Sequence, residues 1–146
     1  MLDIPVMHDD QHGTAVVVLA ALLNATKFSG VMLSKSSIGV VGLGAAGMGI
    51  SKLLLSYGVK TVIGTDLLPE GGKRLVDCGG RTGSLEDVMT DSNIVITTTG
   101  CPGLIKPDMV RKGQVILALS NPNPEITPED AMAAGAAFAA DGKSVN

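Results

Sequence analysis

The most constraining stretch of this sequence is a junction. The β-forming run Ile38-Gly39-Val40-Val41 passes without a break into Gly42-Leu43-Gly44-Ala45-Ala46-Gly47, and a helix-forming stretch follows from Ala45 to Tyr57. Glycines at three positions of a six-residue passage from strand to helix demand a tight turn with close packing at both ends. Around this junction, short apolar runs alternate with helical stretches. The sequence predicts strands at Ile38–Val41, Thr61–Thr65, Arg81–Thr82, Asn93–Thr98, Gln114–Leu119 and Ala136–Ala140. It predicts helices over Thr14–Phe28, Ala45–Tyr57 and Glu70–Cys78, the last weakened by Gly71-Gly72 at its start. Two more helices open on Ser84-Leu85-Glu86-Asp87, which resembles a capping box, and on Thr127-Pro128-Glu129-Asp130, a cap followed by proline and two acids. The strand runs are continuously apolar, so both of their faces must be covered. Helices between them imply right-handed crossovers. The expected fold class is α/β, a doubly wound, mostly parallel sheet with helices on both faces.

The rest of the chain fits one such domain. At 146 residues it buries roughly two thirds of its unfolded surface and needs neither disulfide nor metal to fold. Aromatic residues are scarce (Phe28, Phe138, Tyr57), so the core falls to Val, Ile, Leu, Ala and Met and no stacking platform for single-stranded nucleic acid is available. A net charge of −3 without a long basic run argues against any nucleic-acid partner. Cys78 and Cys101 lack metal-type spacing and read as reduced thiols. The longest apolar run, Ala15 to Leu23, is too short to cross about 30 Å of hydrocarbon as a helix, and the N-terminus lacks the pattern of a signal peptide. No membrane partner and a cytoplasmic location are the resulting expectations.

The junction matches G-x-G-x-x-G, the fingerprint of Rossmann-type dinucleotide-binding units, and it does so after a strand and before a helix. Gly42 would permit the turn, Gly44 the close approach of a pyrophosphate, and Gly47 tight helix–strand packing. First-turn N–H groups and the helix dipole would hold the anion. A turn that is merely glycine-rich is the competing explanation. Asp66 counts against it, since it follows the second strand nineteen residues after Gly47, where an acid would accept hydrogen bonds from ribose hydroxyls. It would also repel a 2′-phosphate and so favour NAD over NADP, although Lys73 and Arg74 nearby would support NADP.

Two further segments carry chemistry. His8-Asp9-Asp10-Gln11-His12 reads either as an acidic helix N-terminus or as part of an Mg²⁺ or Mn²⁺ site, whose remaining ligands would come from elsewhere. Ser120-Asn121-Pro122-Asn123-Pro124-Glu125 follows a strand at the edge where open α/β sheets bind ligands. Asn121 offers a donor and an acceptor suited to a carboxamide or carboxylate, but an Asx-Pro turn explains it as well. The hydroxyls of Thr97-Thr98-Thr99 reach the same edge, and Thr98 would line the cofactor site, though β-branched residues also belong in strands for their own sake.

Taken together, Ile4 to Ala15, the Gly42 to Gly47 loop and Leu119 to Ile126 resemble the NAD-binding domain of the bacterial malic enzymes. The resemblance runs through nearly the whole chain in order. It implies oxidative decarboxylation of L-malate to pyruvate and CO₂ with NAD, or NADP, and a divalent metal acting as Lewis acid. It implies that Asp10 ligates the metal, with Asp9 acting on it indirectly. Thr14, Gly42, Leu43, Gly44, Ala45, Ala46, Gly47, Asp66 and Thr98 would contact the dinucleotide. Asn121 would lie near nicotinamide and substrate, and Asn146 would bind malate. In the family a catalytic Tyr, a catalytic Lys and two more acidic ligands stand upstream of the Ile-Pro-Val segment, and the full enzyme is expected to be a homo-oligomer. The sequence holds no catalytic residue that matches these, so the isolated chain is expected to be catalytically incomplete. Alternatives are a stand-alone dinucleotide-sensing module and another dehydrogenase of the same fold, such as an amino-acid dehydrogenase.

Overall fold

The computed structural model describes residues 18–24, 36–120 and 123–141. Residues 18–24 are helical (α1), the described part of the expected helix over 14–28. There follow β1 (Ser37–Val41), α2 (Ala45–Tyr57), β2 (Thr61–Thr65), α3 (Pro69–Asp77), β3 (Arg81–Thr82), α4 (Leu85–Asp91) and β4 (Ile94–Thr97). A 3-10 turn at Pro107–Met109, not foreseen from the sequence, precedes β5 (Val115–Ala118), α5 (Pro128–Ala133) and β6 (Phe138–Asp141). Among the described residues the strands form one six-stranded sheet in the order β3-β2-β1-β4-β5-β6, and every pairing is parallel. The strand order reverses between β1 and β4. A crevice therefore opens at their carboxyl ends, because the connections from these neighbours leave toward opposite faces.

Alternate residues of each central strand feed two cores. Ile38, Val40, Ile94, Ile96, Val115 and Leu117 pack with Val18 and Leu22 of α1, Met48, Ile50 and Leu54 of α2 and Leu75 of α3. Val41, Val95, Ile116 and Ala118 pack on the other face with Val88 and Met89 of α4, Ala131 of α5 and Ile105. This double burial explains why the strands read as unbroken apolar runs.

Local chemistry sets the helix ends. Ser84 Oγ accepts from Asp87 N–H at 3.1 Å and Asp87 Oδ2 accepts from Ser84 N–H at 3.1 Å, the reciprocal capping box expected for α4. Thr127 caps α5 by accepting from Asp130 N–H, with Pro128 at the first helical position. Helix α3 starts at Pro69, one residue before the expected Glu70. Strand β6 begins at Phe138 and not at Ala136, because Gly135 at φ 114° turns the chain and Ala136 N–H still bonds back to Ala131 at the end of α5. Away from the crevice, the buried Gln114 donates through Nε2 to the carbonyls of Met89 (2.9 Å) and Ser92 (2.8 Å), and its Oε1 accepts from Arg111 N–H at 3.0 Å.

Candidate dinucleotide site

At the switch point, a groove of about 380 Å³ runs between the ends of β1 and β2 on one side and β4 on the other. Gly42, Gly44 and Asp66 line the first side, and Thr98, Thr99, Cys101 and Leu104 line the second. The three glycines of the fingerprint differ in what requires them. Gly42 lies at φ 100°, donates to Thr65 O at 2.9 Å, and has Thr98 Oγ1 donating to its carbonyl at 3.2 Å. A side chain at Gly47 would overlap the Gly42 carbonyl, so helix and turn touch there backbone to backbone. Gly44 has neither reason. Its φ is −76°, and a Cβ built there would meet nothing within 4 Å among the described residues. It caps α2 without a side-chain acceptor, so the first-turn N–H groups of Ala45, Ala46 and Gly47 face the opening without an intrahelical partner. The small side chains of Ala45 and Ala46 leave the approach clear.

Leu43 works from inside. It is fully buried, its N–H donates to Asp66 Oδ2 at 2.8 Å, and its carbonyl accepts from Arg74 Nη2 at 3.2 Å. Glycines make room for it: a Cβ on Gly71 would come within 2.8 Å of Leu43 Cβ, and one on Gly64 within 3.0 Å of Leu43 Cδ2. Gly71 thus permits close packing of α3 on the turn, a purpose that its cost to helix propensity had concealed. Asp66 is exposed at the groove and also accepts from Leu67 N–H at 2.6 Å. It stands where the ribose-binding acid was expected. Beside it Leu67 is 93% and Leu68 65% exposed, an apolar rim without protein cover among the described residues. Lys73 faces a neighbouring groove behind Asp66.

On the second side stands a residue that sequence reading did not single out. Glu125 is fully buried. Thr97 Oγ1 donates to its Oε1 at 2.7 Å, while Thr99 N–H, Thr99 Oγ1 and Ser120 Oγ donate to Oε2 at 2.6, 2.7 and 2.5 Å. Burial pushes its carboxyl upward, but the hydrogen bonds from Ser120, Thr97 and Thr99 outweigh that and hold it below the ordinary glutamate value. Ser120 Oγ accepts in turn from Gly100 N–H at 2.8 Å. Cys78 and Cys101 are exposed free thiols.

Asp9, Asp10, Thr14, Asn121 and Asn146 lie outside the described residues. Among the described residues, no group of three or more His, Cys, Asp or Glu side chains is placed to hold a metal, and no helix is long and apolar enough to cross a membrane.

A parallel sheet in this strand order, with a glycine turn at its switch point and an acid closing the second strand, defines a Rossmann-type dinucleotide-binding domain. The profile of the family described as "Malic enzyme, NAD binding domain" matches residues 11–68. NAD-dependent malic enzyme 1 of Bacillus subtilis (strain 168) is 58% identical over 146 residues, covering 99% of this chain and 33% of that protein. The NADP-dependent malic enzyme of Haemophilus influenzae is 36% identical, covering 90% of this chain and 19% of that protein. The crystal structure of the NAD-dependent malic enzyme of Thermotoga maritima superposes with a TM-score of 0.82 at 35% identity, over 93% of this chain and 41% of that one. The chain belongs to the family of malic-enzyme NAD-binding domains and spans about a third of the length of the Bacillus relative.

Proposed function

We propose that this chain is the cofactor-binding part of an enzyme that oxidises L-malate and decarboxylates it to pyruvate and CO₂. The observation that carries the reading is Gly44, a glycine with no internal need at the open N-terminus of α2. A pyrophosphate against that turn would use the empty space and the first-turn N–H groups. Asp66 would accept from the adenosine ribose, and Leu67 and Leu68 would lie against the adenine ring, which explains two leucines left to solvent. Thr98 would face the second half of the dinucleotide.

Bound NAD would supply the hydride acceptor, and an Mg²⁺ or Mn²⁺ ion the Lewis acid for decarboxylation. The chain's own part is to bind, orient and keep water from the nicotinamide side. Asp10, supported by Asp9, would furnish carboxylate oxygen to the cation. Thr14 would contribute to the dinucleotide site, Asn121 would orient the nicotinamide and substrate, and Asn146 would bind the malate carboxylate. We assign NAD as the preferred cofactor because Asp66 would repel a 2′-phosphate, and a homo-oligomeric, cytoplasmic enzyme as the setting.

Calorimetric titration of the 146-residue chain with NAD⁺ tests the cofactor reading. Saturable binding is expected, and its absence in folded protein would overturn the assignment. The chain alone should leave malate unchanged, since it represents a third of its relative's length. Loss of Mn²⁺ binding in Asp10→Asn, read by electron paramagnetic resonance, is the outcome expected for the metal site.

A further inference from the structure

We infer that Glu125 is a positioning residue for the nicotinamide half of the dinucleotide: its buried carboxylate fastens the loop after β4 to the loop after β5 and so fixes the wall on which that half rests. The inference rests on the dinucleotide reading of the groove. Glu125 does not line the groove; it acts through residues that do. It holds Thr97 and Thr99 on either side of Thr98, and Thr98 is thereby presented to the groove with its hydroxyl on the Gly42 carbonyl. Through Ser120 it also holds Gly100, where the chain turns at φ 74°. Its main chain joins the same loop, since Glu125 O accepts from Ile105 N–H at 3.1 Å.

The choice of a carboxylate needs explaining. Among the described residues, the four groups that donate to it are neutral, and burying a charge without a cation is costly unless its oxygens are saturated with donors. Packing alone does not call for a charge at this place. Glutamine keeps the shape but loses the charge: its oxygen could take the three donors at the Oε2 position only as weaker neutral bonds, and its nitrogen would turn Thr97 Oγ1 from donor to acceptor. A carboxylate draws three hydroxyls and one backbone N–H, from separate strand ends, onto one point, and its charge strengthens each of those bonds. In a doubly wound sheet the first three strands serve the adenosine half and the last three the second half. Among the described residues, the direct partners of the Glu125 carboxylate stand at the ends of β4 and β5, and Thr98 alone carries the network across to Gly42, so its main influence belongs to the second half.

The test compares ADP, which needs only the first half, with NAD⁺, which needs both, by calorimetry on the full chain. Glu125→Gln is expected to weaken NAD⁺ about tenfold while leaving ADP within about twofold. Ser120→Ala, which removes the link to Gly100 without touching the groove lining, should weaken NAD⁺ about threefold with the same selectivity. Equal losses for both ligands, or unchanged NAD⁺ affinity in either folded variant, would overturn the inference. If Glu125→Gln does not fold, Ser120→Ala decides the matter by the same criterion. Wild-type chain that takes neither ligand would defeat the dinucleotide reading itself, a result distinct from a loss of selectivity.

Discussion

The two sides of the crevice are built by opposite means. The side formed by β1, β2 and α2 is made of main chain: Gly42 turns it, Gly47 lets helix meet turn, and Gly44 leaves a space unfilled. The side formed by β4 and β5 depends on side chains, three hydroxyls and one backbone N–H converging on one buried carboxylate. A backbone surface presents N–H groups at fixed positions and suits an anion that never varies. A side-chain network can be altered one hydroxyl at a time, and it suits the half of a ligand that must be aligned for chemistry. The first design tolerates no added atom at Gly47, where helix and turn touch; the second tolerates loss of an atom at a graded cost.

The sharpest break of that comparison is Gly47→Ala. A methyl group overlapping the Gly42 carbonyl must separate α2 from the turn, and a stability loss of about 3 kcal/mol is expected in urea denaturation. Loss of Glu125 acceptors should cost less, about 2 kcal/mol for Glu125→Gln at neutral pH. That gap also has a pH signature. The folded carboxyl titrates below its unfolded value, so its stabilisation is complete above the ordinary glutamate range and is lost as pH falls through the folded value. Denaturation curves of wild type and Glu125→Gln should therefore converge in strong acid and stay apart at pH 7. Gly44→Ala separates binding from folding on the first side: stability should fall only by about 0.5 kcal/mol, while NAD⁺ affinity drops about tenfold. The smallest expected effect is at Asp66. Asp66→Asn should raise the ratio of NADP⁺ to NAD⁺ affinity by about fivefold in parallel titrations, because it removes a repulsive charge and keeps one acceptor for Leu43 N–H.

The same contrast explains what could be read from the sequence. Gly42 to Gly47, Asp66 and the caps at Ser84 and Thr127 were legible because each is a local requirement, met within a few residues or at a fixed spacing. The strand cores were legible because burial on both faces leaves no polar alternation. Glu125 was not, since its partners Thr97, Thr99 and Ser120 come from two strand ends and only folding brings them together. The packing purpose of Gly71 was hidden for a related reason: its partner Leu43 lies on another element, and the sequence showed only a poor helix former. The 3-10 turn at Pro107–Met109 left no periodic pattern to find.

At the far end of the strands, Gln114 clamps the carbonyls of Met89 and Ser92 with a single amide. The domain is thus moored at its floor by a fitting independent of whatever occupies its mouth. Rim loops can be lengthened, or one nucleotide exchanged for another, without casting the scaffold adrift.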